Sequence, residues 1–326
     1  DDAGSVYLMD PDASTPERIG YGNSLTWSPD GQAVVVGTHA WLDLRVGAQM
    51  ALRDGPLPLL LDQTQWVPQQ NRLLLFDTEQ PGIYLSSAVL PETTASGTLE
   101  PQSEDDGPVF SLSHESDLEP LVTDGALGIH GAQCVSANGQ RIAFVRRRDD
   151  DLIAVVWMLD LDSGAETPIA LPRTPDIVRD YVYNFAWSPV GGDLLFVWAT
   201  ATEAGSGPPE RLQIMRVRAG SHSAEPLFGS AADGNAMLPV WSPGADAIAY
   251  VRTQSDAALQ STPAIVLADP VAPAAGSALL TLDEGDVLTS QLSWSPDGQV
   301  LYFSIRDRRT GISTLRLLTR DGLAVP

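Results

Sequence analysis

The five residues Trp-Ser-Pro-Asp-Gly occur twice, at Trp27–Gly31 and at Trp294–Gly298, each time between apolar runs. Degenerate copies lie between them: "WVPQQNRLLLF" from Trp66, "VSANGQRIAFV" from Val135, "WSPVGGDLLFV" from Trp187 and "WSPGADAIAYV" from Trp241. Successive copies are 39, 69, 52, 54 and 53 residues apart. Three near-equal periods in a row mark an internal repeat, and a repeat constrains a fold more than any other sequence signal.

The motif encodes a strand, a tight turn and a second strand. Pro29 presets φ for the second turn position, Asp30 hydrogen-bonds locally, and Gly31 takes the positive φ that closes the hairpin. The runs after the turns ("AVVVG", "RLLLF", "RIAFV", "LLFVW", "IAYV", "VLYFS") are almost continuously apolar, the mark of a strand covered on both faces. A third strand follows in "VVWMLDLDSGAE", "LQIMRVRAGS" and "STLRLLTRDG", and a short fourth in "EPLVTDG" and "EPLFGS". Four antiparallel strands per period of about 53 residues is the anatomy of a propeller blade. Gln70 and Ala245 stand where the motif wants Gly, which predicts altered turns in the second and fifth copies. The third copy has Val135 for Trp and Ala137 for Pro but keeps Asn138-Gly139.

These "WSPDG" hairpins, together with "VYLMDPDASTPERI" at 6–19, resemble the WD-repeat-like blades of TolB-type β-propellers over nearly the whole chain. The expectation is therefore one all-β domain over 1–326, a six-bladed propeller of four-stranded blades whose N-terminal strand "SVYLMD" closes the last blade. "ERIGYG" at 17–22 is a further candidate strand, which keeps seven blades as the alternative. The 69-residue period carries the polar, acidic stretch 90–108, read as a loop inserted in the third-strand region of the second blade.

Composition limits the partners. The formal net charge is -23, and all 19 basic residues are Arg, so phosphate-rich surfaces are repelled and nucleic acid is not an expected partner. A single cysteine, Cys134, excludes an intramolecular disulfide and a cysteine-based zinc cage and reads as a small buried strand residue. No apolar stretch approaches the 18 or more residues of a membrane span. The chain opens "DDAGSVYLMD" without Met; a removed signal peptide or lipid anchor and a trimmed domain of a longer protein both account for that.

Propellers gather the starts of their innermost strands around a channel, the default site. Three residues before the Trp position stand Ser24, Gln63, Ala132, Asn184, Leu238 and Gln291; one before it stand Thr26, Gln65, Cys134, Ala186, Val240 and Ser293. The approaching loops add Asn23, Asp62, His130, Tyr183, Asn235 and Asp286. The candidate ligand-binding set is Asn23, Asp62, Gln63, His130, Tyr183, Asn184, Asn235 and Gln291, with Asp62, His130 and Asn184 first. Small and amide side chains filling a narrow wet channel explain the same pattern.

No catalytic residue is assigned. Some oligogalacturonate lyases, whose blades are similar, hold a divalent metal with several His, but of His39, His114, His130 and His222 only His130, and less so His39, could reach the axis. "MDPDAS" and "LDLDSG" lack the later Glu of a calcium loop and read as turns. No Gly-x-Ser-x-Gly elbow or phosphate-binding glycine loop occurs. "RRRDDD" at 146–151 reads as a solvated hairpin, with "RDRR" at 306–309 in the equivalent hairpin of the last blade sharing its structural role. The expected function is non-catalytic: a monomeric platform, without metal or cofactor, binding a protein, peptide or cell-envelope polymer, by resemblance outside a bacterial cytoplasm. Its rivals are an enzyme acting on a carbohydrate or small ester in the channel, using Asp62 and His130, and a sensor or accessory domain of a larger protein.

Overall fold

A computed structural model describes residues 5–8, 17–21, 25–28, 31, 33–36, 40–43, 48–51, 61–70, 72–77, 82–86, 118–123, 128–129, 134–147, 153–202, 211–230, 234–255, 261–272, 276–283, 285–289 and 291–324. Among them every regular element is a strand, no helix is present, and most of the strands form four-stranded antiparallel sheets, consistent with a β-propeller. The chain divides into two compact units, one holding residues 1–130 with 138–140, the other 131–137 with 141–326.

The first unit contains two such sheets. One orders Leu25–Trp27, Ala33–Val36, Ala40–Asp43 and Ala48–Ala51; the next orders Leu61–Val67, Arg72–Asp77, Gly82–Ser86 and Leu118–Val122. The stretch 90–108 falls between the third and fourth strands of this second sheet and lies outside the described residues. The candidate strand at 17–22 is a strand, Glu17–Tyr21, antiparallel to Ser5–Leu8.

The second unit carries the third to sixth sheets. The third runs Cys134–Val135, Arg141–Arg147, Val155–Asp160 and Glu166–Ile169, and the fourth Arg179–Trp187, Leu194–Ala201, Arg211–Val217 and Ala224–Phe228. The fifth runs Asn235–Trp241, Ile248–Ser255, Ser261–Ala268 and Ser277–Thr281. In the sixth, Val300–Asp307 pairs on one side with Ser313–Thr319 and on the other with an interrupted inner strand, Asp286–Leu288 and Ser293–Trp294. The apolar second strands are covered on both faces: Leu194–Ala201 is buried at every position. With side chains of the third strands they build the layers between sheets, with Phe196 and Met215 in one, Ile248 and Val266 in the next, and Leu301 and Phe303 in the third.

The serine of the motif clamps the hairpin. In five copies the N–H of Ser28, Ser136, Ser188, Ser242 or Ser295 donates to the carbonyl five residues on, at 2.7–2.9 Å. In four of them the hydroxyl also accepts the N–H of that same residue, Ala33, Arg141, Ala247 or Val300, at 2.9–3.0 Å. All five serines are buried, so the hydroxyl satisfies a backbone donor that water cannot reach. The second copy has Val67 in this place, and its turn is altered as expected: Gln69, not Gln70, takes the positive φ of 67°. The fifth turn is not altered. Ala245 itself adopts φ 55°, and its N–H donates to Ser242 at 2.9 Å as Gly298 donates to Ser295, because the clamp outweighs the modest cost of one alanine in the left-handed region.

The Ser242 hydroxyl donates to Asp246 at 2.7 Å, and with Arg320 at 2.7 Å it holds that carboxyl below its ordinary range. A carboxylate with a depressed folded-state pKa adds stability above its unfolded pKa of about 3.9 and loses it as pH falls through the folded value. Ser242→Ala should therefore raise the Asp246 pKa, read by NMR titration, and lower stability by about 1–2 kcal/mol in urea unfolding. An unmoved Asp246 titration would contradict the clamp.

The third sheet corrects one expectation. Arg146 belongs to the strand Arg141–Arg147 and is buried rather than in a solvated hairpin. Its guanidinium lies 5.0 Å from the ring centroids of Phe144 and Trp157 and makes a two-point ion pair with Glu166, 2.8 Å in one arm. Aromatic faces and a bidentate carboxylate suit a planar, weakly hydrated cation, which makes the site tolerable for Arg. Arg306, Arg308 and Arg309 of the last hairpin are exposed, unlike Arg146.

Candidate functional site

The innermost strands are interrupted just before the motif Trp. In the fourth sheet Tyr183 pairs with Val197 and Ala186 with Leu195, so Asn184 and Phe185 together oppose Phe196. In the fifth, Leu238 and Pro239 oppose Tyr250 in the same way. Asn184 and Leu238 sit in the left-handed region, at φ 53° and 54°. Both are three residues before their Trp, the position singled out from the sequence. The second sheet shifts register at Asp62, and the sixth opens wider, leaving Thr289–Leu292 between its two inner segments. Such bulges bend the strand and re-aim side chains.

Between the fifth and sixth sheets, at the end where the inner strands begin, lies a cavity of about 530 Å³. Its floor is aliphatic, formed by Met237 and Leu238 of the bulged strand, by Val251, and by Val287 and Leu288 of the sixth sheet. Thr253, on the same strand face as Val251, and Thr262 line its wall, and Asp283, Asp286 and Arg308 are its charged lining residues. The backbone holds these three in place. Asp286 N–H donates to the Asp283 carbonyl at 3.0 Å, and Arg308 N–H donates to the Gly285 carbonyl at 3.1 Å. Gly285 has φ 99°, a conformation that only glycine adopts without strain.

Of the channel positions read from the sequence, Leu238 and Asp286 line this cavity, but no described member of the candidate ligand-binding set does. Asn235 starts the same strand, but its amide oxygen accepts the Leu212 N–H at 2.9 Å and joins the fifth sheet to the fourth. Tyr183 packs with Met237 against the layer between those sheets, and burial raises its hydroxyl pKa. Asn184 is half-buried in its bulge, and Gln291 is exposed in the sixth-sheet break. Asn23 and His130 lie outside the described residues, as do the side chains of Asp62 and Gln63. Positions one before the Trp tie sheets together: Thr26 accepts the Trp66 N–H at 3.2 Å within the first unit, and the Ala186 carbonyl accepts from Trp241 Nε1 at 3.1 Å. "LDLDSG" is a turn, with Asp160 accepting from the N–H and hydroxyl of Ser163; those bonds hold its carboxyl below the usual range.

Thr253, Thr262 and Asp283 were missed because two come from second and third strands, where alternation reports burial but not which sheets part. Arg308 lay in a cluster noticed only for its charge.

No family model matches the chain, and no curated protein matches it. Among solved structures it is similar to TolB from Acinetobacter baumannii, at 17% identity over 98% of this chain and 58% of that one, with a TM-score of 0.51. It is similar to an oligogalacturonate lyase in complex with manganese, at 11% identity over 95% and 84% of the two chains and a TM-score of 0.60. Dipeptidyl peptidase 4 of Porphyromonas gingivalis matches at 13% identity over 94% and 46%, with a TM-score of 0.58. At these identities the likeness is one of fold. The chain spans 58% of the TolB chain's length. Among the described residues no three His, Cys, Asp or Glu side chains converge, so these residues supply no donor set for an ion such as the lyase's manganese. No described helix is long and apolar enough to cross a membrane.

Proposed function

We infer that this chain is a binding propeller that holds a peptide or protein segment in the cavity between its fifth and sixth sheets, without chemistry of its own. The carrying observation is the cavity itself: an aliphatic lining, a threonine on its wall and charged lining residues whose turn is pinned by main-chain hydrogen bonds. A site of about 530 Å³ with a few fixed polar groups has the size and make-up of ligand pockets. Because that turn is positioned before binding, little ordering entropy is lost on association. The reading takes the six sheets as blades of one domain over 1–326 and requires a single calorimetric unfolding transition. A monomer working outside a bacterial cytoplasm fits the acidic, lysine-free chain and the TolB resemblance.

The test is selection from a random peptide display library on the intact chain. Thr253 is half-buried and lies on the same strand face as Val251, so Thr253→Trp places an indole in the cavity. Enriched peptides should lose at least tenfold in affinity on this variant. No enrichment over a control protein of equal charge would remove the binding function, and unchanged affinity would remove the cavity as its site.

A further inference from the structure

We propose that the cavity receives the amino-terminal residue of its peptide, with an aliphatic side chain on the floor and the free ammonium group at the Asp283–Asp286 turn. This assignment rests on the binding function inferred above and specifies its ligand. The floor offers only Met, Leu and Val side chains, so a polar group placed there would lose its hydration without a partner. Whatever enters deepest is apolar.

The charged lining adds the charge preference. The charged lining residues are two carboxylates and one guanidinium, an excess of negative charge beside a poorly polarisable wall. An ammonium group carries one positive charge and three donors, matching two acceptor-only carboxylates. Both carboxylates belong to one turn, closed by the Asp286-to-Asp283 hydrogen bond, and that turn is fastened to the hairpin of Arg308. Arg308 can then donate to the carbonyl oxygens that follow an amino-terminal residue, while the hydroxyl of Thr253, on the face of Val251, donates to or accepts from its peptide groups. A fatty acid or a phosphate ester meets two like charges in this cavity and is disfavoured.

Leu238 gives the third observation. A leucine at φ 54° stores strain, and the strain lies in the cavity floor, where the bulge turns the inner strand away from its partner. The fourth sheet has the same bulge with a polar residue, Asn184. The apolar residue occurs at the cavity, where a side chain is to be received.

The experiment is calorimetric titration of the full chain with the tripeptide Leu-Gly-Gly, its N-acetylated form, and Asp-Gly-Gly. The free-amine leucine peptide is expected to bind, acetylation to weaken it at least tenfold, and the aspartate peptide to bind at least tenfold more weakly. Asp286→Asn, which keeps the side-chain shape, should reproduce the loss seen on acetylation with an unchanged melting temperature; Arg308→Ala should lose several-fold. Equal binding of free and acetylated peptides, an Asp286→Asn variant that binds as the parent does, or no binding of Leu-Gly-Gly overturns the proposal. If display selection still yields cavity-dependent peptides that bind through internal residues, the binding function stands and only this assignment falls.

Discussion

Asp180→Ala is expected to destabilise the chain by about 3–5 kcal/mol, measured by urea unfolding. Asp180 is fully buried, and its carboxylate accepts three hydrogen bonds: from the Ala154 N–H at 2.5 Å, from Arg173 Nε at 2.9 Å and from Trp198 Nε1 at 2.9 Å. Arg173 also donates to the Ala154 carbonyl, so one carboxylate and one guanidinium join the start of the third sheet's outer half to the fourth sheet. Truncation strands a backbone donor and an indole N–H in an apolar layer and leaves the partly buried Arg173 charge unpaired. Arg173→Ala should cost much less in the Asp180→Ala background than alone, since most of its partnership is already gone. A loss below about 1 kcal/mol for Asp180→Ala would mean that the network contributes nothing net.

The second large effect belongs to Gly229→Ala. Gly229 follows directly on the fourth sheet's last strand at φ 89°, and an added Cβ would lie 2.5 Å from the Leu212 carbonyl oxygen and 3.0 Å from Gln213 Cα. Both are main-chain atoms of a neighbouring strand, so nothing can rotate aside. Left-handed strain and overpacking together predict a loss of about 2–4 kcal/mol. Gly164→Ala separates the two causes: its φ is 69° but open space surrounds the new Cβ, so only the strain of about 1–2 kcal/mol should appear. Equal losses for the two variants would show that the contact with Leu212 is relieved by a backbone shift.

Local rules were readable where they depend on the chain alone. The strand, turn and strand of each motif follow from Pro29, Gly31 and their counterparts, and the burial of Leu194–Ala201 follows from its unbroken apolar run. The serine clamp was not anticipated, because a hydroxyl five residues from its partner gives no periodic signal. Ala245 misled for a related reason: its type argued against a left-handed turn, but the Ser242 clamp imposes the turn regardless. Arg146 misled more strongly. In sequence it is the first of three arginines before three aspartates, yet it is folded inward because Glu166 and Trp157 from strands that pair later, together with Phe144 of its own strand, surround its guanidinium.

The candidate site divides in the same way. The position three before the Trp was identifiable as a place where the pattern loosens, and the bulges at Asn184 and Leu238 occur there. Which side chains those bulges expose was not identifiable. Asn235 looked like a free amide at a channel entrance but is consumed in holding Leu212, while Thr253, Thr262 and Asp283 carried no sign of converging on one cavity.

The amino-acid sequence alone determined that this is a repeated β-structure, because hairpin chemistry and apolar strand runs act over a few residues and recur with the repeat. Only the tertiary structure decided that the fifth and sixth sheets part to form a cavity and that two aspartates and Arg308 line it. It also decided that Asp180 and Arg146 face inward. Those outcomes depend on strands far apart in sequence meeting in a particular register, and register couples residues whose separation no local pattern records.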